Sequence, residues 1–203
     1  MTFQNRIETQ FEGKAFVRPL FYTYPGGLRF ELSEGGSVLE QFLLSMRKAM
    51  EICLDVFDET RVLTVCLRCY VDNENRFAYR SLLTELRAAG IVLPKRRELW
   101  LETANEADLL NLAFELPISL IQNLLWCALV SDFGSIRPHP QCLVYLFDLE
   151  TGLLVWPYDD RGMDVVGPNR KKLATLYHKY SSYLLDYDRA KMDETFGANN
   201  AAI

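Results

Sequence analysis

Three carboxylates and one guanidinium fall within seven residues at Tyr158-Asp159-Asp160-Arg161-Gly162-Met163-Asp164, directly after an apolar run. Paired carboxylates can hold a divalent cation or move protons. An arginine among them presents a planar five-donor fork that matches carboxylate oxygens two at a time. Gly162 permits a backbone turn that a β-carbon would oppose, so Arg161 can fold back onto Asp159 or Asp164 and neutralise the segment from within. The segment therefore reads first as a structural clasp. It reads second as a partner-binding surface of Tyr158, Asp159, Asp160 and Asp164, and third as a catalytic or metal site. Arg29 and Glu31, on the polar face of an early strand, join Arg161 as ion-pair candidates, and a reaction here requires Glu31 to approach the acidic loop in space.

The rest of the chain offers little standard catalytic apparatus. A nucleophilic triad needs a base beside its nucleophile. Only two histidines occur, His139 between two prolines and His178 off the apolar stripe of a late helix, and both read as surface or packing residues. Neither a glycine-rich phosphate loop nor an HExxH sequence is present. Cys66-Leu67-Arg68-Cys69 lies in a predicted strand, where a spacing of three sends the thiols to opposite faces, and no second pair completes a zinc site. Cys53, Cys127 and Cys142 sit in apolar segments as small hydrophobes. No catalytic residue, metal ligand or cofactor is expected.

Composition narrows the class further. The 203 residues suffice for one well-buried core, and the net charge of −5 disfavours nucleic acid and anionic membranes, which select basic surfaces. The basic runs Lys95-Arg96-Arg97 and Arg170-Lys171-Lys172 adjoin predicted element ends and read as solvated. An odd count of five cysteines fits a reducing compartment, and the N-terminus lacks a charged leader with an apolar run. No apolar stretch reaches the roughly 18 residues of a membrane span. A soluble, cytoplasmic protein is expected.

Periodicity then supplies the elements that must place the acidic segment. Phe3, Ile7 and Phe11 predict an opening amphipathic helix. After the turn Tyr24-Pro25-Gly26-Gly27, the alternation of Leu28, Phe30 and Leu32 with Arg29 and Glu31 predicts a strand. Ser37 caps a predicted helix through Phe57, with a stripe of Leu39, Phe42, Met46, Ala49, Cys53 and Val56. A strand from about Arg61 to Val71 has an apolar face and a mixed one of Thr64, Cys66 and Arg68. A helix over 75–89 stops at Gly90. Strands over 98–103 and 109–116 form a hairpin around Asn105-Glu106, and Pro117 opens a helix through about Ser131. A second hairpin joins 142–149 to 153–156 through Gly152, with the acidic loop at its open end. A single helix is expected from Arg170 to about Phe196, striped by Leu173, Leu176, Tyr177, Tyr180, Leu184 and Tyr187. These elements predict one α+β domain over residues 1–196, a largely antiparallel sheet with helices packed on it, and a disordered tail over 197–203.

Three motifs carry a resemblance. Leu28-Arg29-Phe30-Glu31-Leu32, the acidic segment 158–164, and Leu184-Leu185-Asp186-Tyr187-Asp188-Arg189 together resemble a bacterial family classed as a domain of unknown function, in order and spacing across most of the chain. The resemblance implies one compact α+β domain whose distinctive residues cluster at the acidic loop. Trp156-Pro157 stands where many relatives are expected to have a histidine before the proline, which counts against a histidine-dependent reaction there. Two functions compete. One is a stoichiometric protein-binding module, most concretely a cytoplasmic immunity protein that neutralises a basic toxin domain through the acidic residues and exposed aromatics such as Tyr158 or Tyr183. The alternative is a small enzyme or metal-dependent hydrolase using the acidic loop, with Arg29 or Arg161 binding an anionic substrate group.

Overall fold

The computed structural model describes residues 1–58, 60–71, 78–104 and 107–197. The chain opens with α1 (Phe3–Gln10), the short α2 (Leu20–Thr23) and β1 (Leu28–Glu31), followed by α3 (Val38–Val56), β2 (Val62–Val71) and α4 (Ala78–Ala88). The hairpin β3 (Arg97–Ala104) and β4 (Ala107–Pro117) leads through a 3-10 turn into α5 (Ile121–Leu129). β5 (Leu143–Asp148), β6 (Leu153–Asp159) and β7 (Gly162–Val166) follow, and α6 (Arg170–Lys179) and α7 (Arg189–Phe196) close the chain. The seven strands form one antiparallel sheet in the order β1-β7-β6-β5-β2-β4-β3, and with its helices it makes an α+β domain. Among the described residues, no helix is long and apolar enough to cross a membrane.

Both faces of the sheet are covered. On one, α3, α5 and α6 build the larger core around Phe30, Val65, Leu67, Phe114, Leu146 and Val155. On the other, α1 and the segment after it bring Phe3, Ile7, Phe11 and Leu20 onto Cys66, Tyr145, Phe147 and Trp156. The mixed face of β2 is therefore buried as well, a difference from the half-exposed strand its sequence suggests. Arg68 is tolerated there because its Nε donates to Asn111 Oδ1 at 2.7 Å and Nη2 to Glu102 Oε2 at 2.7 Å, which meets the requirement that a buried charge be paired. Cys66 and Cys69 belong to the two different cores, as a spacing of three in a strand dictates, and all five cysteines are free.

α3 begins where Ser37 marks it. The Ser37 side chain accepts from Glu40 N while Glu40 reaches back to Ser37 N at 2.8 Å, a reciprocal capping box. Its buried side carries Phe42, Ala49, Ile52, Cys53 and Val56, while Leu39 of the expected stripe is exposed and Lys48 is buried. Lys48 Nζ donates to Glu31 O at 3.2 Å and pairs with Glu34 at 2.8 Å, so the helix is tied to the end of β1 by a cation. The expected helix over 75–89 is present as α4 from Ala78, and 75–77 lie outside the described residues, as do the Asn105-Glu106 turn and the tail over 198–203.

Two expectations require correction. The segment 158–164, read as a loop, is mostly strand: 158–159 end β6, and 162–164 begin β7, which lies between β6 and β1; Asp164 breaks the apolar pattern that would mark a strand. The single helix over 170–196 is two helices. α6 ends at Lys179, and Leu184–Leu185 run extended along β1, where Leu184 bridges Phe30 and Leu185 N donates to Arg29 O at 2.9 Å. An edge strand has unpaired backbone groups, and occupying them outweighs the continuation of a helix through Ser181-Ser182, which are weak helix formers. Tyr187, placed on the buried stripe by the helix reading, is fully exposed instead.

Candidate functional site

The acidic segment is a two-residue hairpin turn. β6 ends at Asp159, β7 begins at its cross-strand partner Gly162, and Asp160-Arg161 make the turn, beyond a register irregularity at Pro157/Asp159. Asp159 closes it: Oδ1 accepts from Arg161 N at 2.8 Å, Oδ2 accepts from Arg161 Nε at 3.0 Å, and Arg161 Nη2 also bonds Oδ2. The same Nη2 lies 3.5 Å from Asp132. Gly162 is glycine for a steric reason, since a β-carbon there would overlap the Tyr158 hydroxyl and press on Phe30 O. Leu32 N donates to Arg161 O at 2.8 Å and Ser45 Oγ to Asp160 O at 2.5 Å, which fastens the turn to both β1 and α3.

Two residues further along β7 and β1, Asp164 faces Arg29 across the strand pair. Arg29 Nε donates to Asp164 Oδ1 at 2.8 Å and Nη2 to Oδ2 at 3.1 Å, a bidentate fork, while Phe21 N adds a third donor to Oδ2 at 3.1 Å. Arg29 Nη1 turns to Asp188 Oδ2 at 3.0 Å, and Asp188 Oδ1 accepts from the Tyr22 hydroxyl at 2.6 Å. The guanidinium lies over the Phe21 and Tyr22 rings, 5.1 and 5.2 Å from their centroids. One arginine thus serves two buried carboxylates. Burial pushes the Asp164 carboxyl up, and the Arg29 fork opposes that rise.

The partner-binding candidates separate by exposure. Asp159, Asp160 and Asp164 are 6, 5 and 0 % exposed, and Tyr158 is half-buried, so the acidic residues form an inner layer and are not contact groups. This corrects the expectation of an acidic surface. Arg161 pairs with Asp159, not Asp164, and Arg29 takes Asp164 instead. Glu31 sits opposite Gly162 beside the turn, yet it is exposed and makes no ion pair among the described residues. Tyr183 is half-buried, its hydroxyl donating to Glu51 Oε2 at 3.0 Å. His139 N donates to Glu85 Oε2 at 2.7 Å, and His178 is exposed with its ring against that of Tyr177. Among the described residues, no three His, Cys, Asp or Glu side chains converge to hold a metal ion. Asp159 and Asp164 are engaged by the guanidinium groups of Arg161 and Arg29.

Sequence reasoning passed over Asp188 and the Phe21-Tyr22 pair. Asp188 had a signal, its place in the terminal motif; Phe21 and Tyr22 had none, because α2 is a single turn.

Asp160 has a pH signature. Burial, and then the Asp159 charge beside it, raise its carboxyl above the usual range. The ionised form is therefore penalised in the fold. The penalty is fully present above the folded value and vanishes below the unfolded one of about 3.9. Asp160→Asn is expected to raise the thermal midpoint at pH 7 by roughly 2 °C and to lose that advantage at pH 3. An unchanged midpoint at pH 7 would refute the assignment.

No curated protein and no solved structure matches the chain. One family does, over residues 3–188, from the first residue of α1 to Asp188, whose carboxylate pairs with Arg29. Arg29, Asp164 and Asp188 all lie within that span, and the chain belongs to the family described as a domain of unknown function, DUF3885.

Proposed function

We propose that the chain is a stoichiometric protein-binding module, and in its most concrete form a protein that neutralises a basic toxin domain. The observation that carries this is Tyr187, which stands 86 % exposed on a segment fastened at both sides, by Leu184 against β1 and by Asp188 on Arg29. A rigidly based tyrosine offers large amphipathic contact area at little entropic cost, the usual character of an interface anchor. Tyr22, 44 % exposed, adjoins it through the shared Asp188, and Asp186 is exposed beside it. The net charge of −5 favours encounter with a basic partner. In this arrangement Asp164 supports the face from behind through Arg29, which also holds Asp188.

The test is co-purification with the product of the neighbouring reading frame, followed by calorimetry on the isolated pair. Tyr187→Ala is expected to weaken a one-to-one complex by about 30-fold, the effect of a hot spot worth about 2 kcal/mol, with an unchanged circular dichroism spectrum. Affinity that survives Tyr187→Ala and Tyr22→Ala together would exclude this face. The absence of any stoichiometric partner would remove the function itself.

A further inference from the structure

α3 is apolar on both of its sides. Phe42, Ala49, Ile52, Cys53 and Val56 face the core, while Leu39, Leu43 and Leu54 stand 66, 58 and 49 % exposed. Helical periodicity sets these three leucines and the half-buried Met46 and Met50 within about 80° of arc, on a stripe roughly 23 Å long. No other helix among the described residues exposes more than one large apolar side chain. The outward face of a surface helix is ordinarily polar, and a helix that is apolar all round is ordinarily covered. The capping box at Ser37 and the Lys48 tie to β1 hold this face in place.

The stripe and its polar flank are self-complementary. From Leu43 to Leu54 its apolar members run Leu, Met, Met, Leu, an order that reads the same from either end. When a second α3 lies antiparallel, with the two-fold axis level with Lys48 and Ala49, Leu43 falls beside Leu54 of the other copy and Met46 beside Met50, each contact occurring twice. Arg47 and Glu51 border the stripe on one side, their side chains 61 and 41 % exposed, and within the chain they make a long i,i+4 contact of 3.8 Å. The same axis brings each Arg47 level with Glu51 of the other copy. Two symmetric ion pairs then edge one apolar seam. Asp58, the acid that comes level with Glu40, is already paired with Lys172 at 2.6 Å.

We propose that the outer face of α3 docks on α3 of a second copy of this chain, antiparallel, through Leu43, Met46, Met50 and Leu54, with Leu39 over the C-terminal end of the other helix. The face includes neither Tyr187 nor Tyr22, so it is independent of the protein-binding reading. Analytical ultracentrifugation of the full chain over a range of concentrations is the test. A reversible monomer–dimer equilibrium with a micromolar dissociation constant is expected, because a seam of one helix per copy is smaller than a standard interface. Leu43→Gln together with Leu54→Gln should weaken it at least tenfold with an unchanged circular dichroism spectrum, since both positions are exposed in the single chain. Arg47→Glu and Glu51→Arg should each weaken self-association severalfold. Their equimolar mixture should associate more tightly than either variant alone, because in the mixed pair every glutamate meets an arginine. A purely intrachain role for Arg47 and Glu51 would give no such rescue. A chain that stays monomeric at millimolar concentration, leaving this face to a helix of a different protein, overturns the assignment. So does a dimer indifferent to the two leucine substitutions, or a mixture that associates no more tightly than its components.

Discussion

Arg29→Met is expected to lower the unfolding free energy by about 3 to 5 kcal/mol, the cost of leaving buried charge unpaired. The substitution keeps much of the volume and removes the guanidinium from two carboxylates, Asp164 at 0 % and Asp188 at 3 % side-chain exposure. Phe21 N and the Tyr22 hydroxyl still donate to them, but hydrogen bonds from neutral groups do not compensate two negative charges placed close together. Arg161→Met provides the contrast. Its guanidinium is 70 % exposed, so loss of its pairs with Asp159 and Asp132 should cost about 1 kcal/mol or less. Urea unfolding of both variants measures the difference, and equal losses would show that the Arg29 network is no more important than a surface pair. A damaged Arg29 network should also loosen the segment that presents Tyr187, so partner affinity should fall even under conditions where Arg29→Met remains folded.

Gly167→Ala is expected to cost about 2 to 4 kcal/mol, combining a disfavoured backbone conformation with an overpacked contact. Gly167 has φ +143°, and a β-carbon there would overlap the Gly152 carbonyl oxygen and crowd Leu153 Cα, both of them backbone. Backbone atoms cannot rotate away as the end of a long side chain can. Here the β5–β6 turn meets the segment that leads from β7 into α6, so the strain would fall on the connection that sets α6 against the sheet. Gly134→Ala, with nothing within 4 Å of the added atom, should change stability by about 0.5 kcal/mol or less. Chemical denaturation of the two alanine variants separates them, and a Gly167→Ala protein as stable as Gly134→Ala would refute the close approach.

Most strands and helices were legible because their causes are local. The alternation of Leu28, Phe30 and Leu32 needs only a pleat with one buried face, and Ser37 followed by Glu40 needs only the free amides of a helix start. The clasp of Arg161 on Asp159 was legible for the same reason, since two residues of chain join the partners. β7 was hidden because the residue that interrupts its apolar pattern, Asp164, is paid for by Arg29, 135 positions away. The break between α6 and α7 was hidden too, because what stops the helix is the unpaired edge of β1.

By itself, then, the sequence determined the α+β class, the order of the elements other than α2, β7 and the α6–α7 break, the separate faces of Cys66 and Cys69, and the residues that stand out at 28–32, 158–164 and 184–189. Only the tertiary structure decided that these three segments share one arginine, that Asp159, Asp160, Asp164 and Asp188 face inward, and that Tyr187 faces out. The physical reason is reach. Propensity, capping and periodicity act over a few residues, whereas the pairing of a buried charge depends on which distant strand the fold sets beside it.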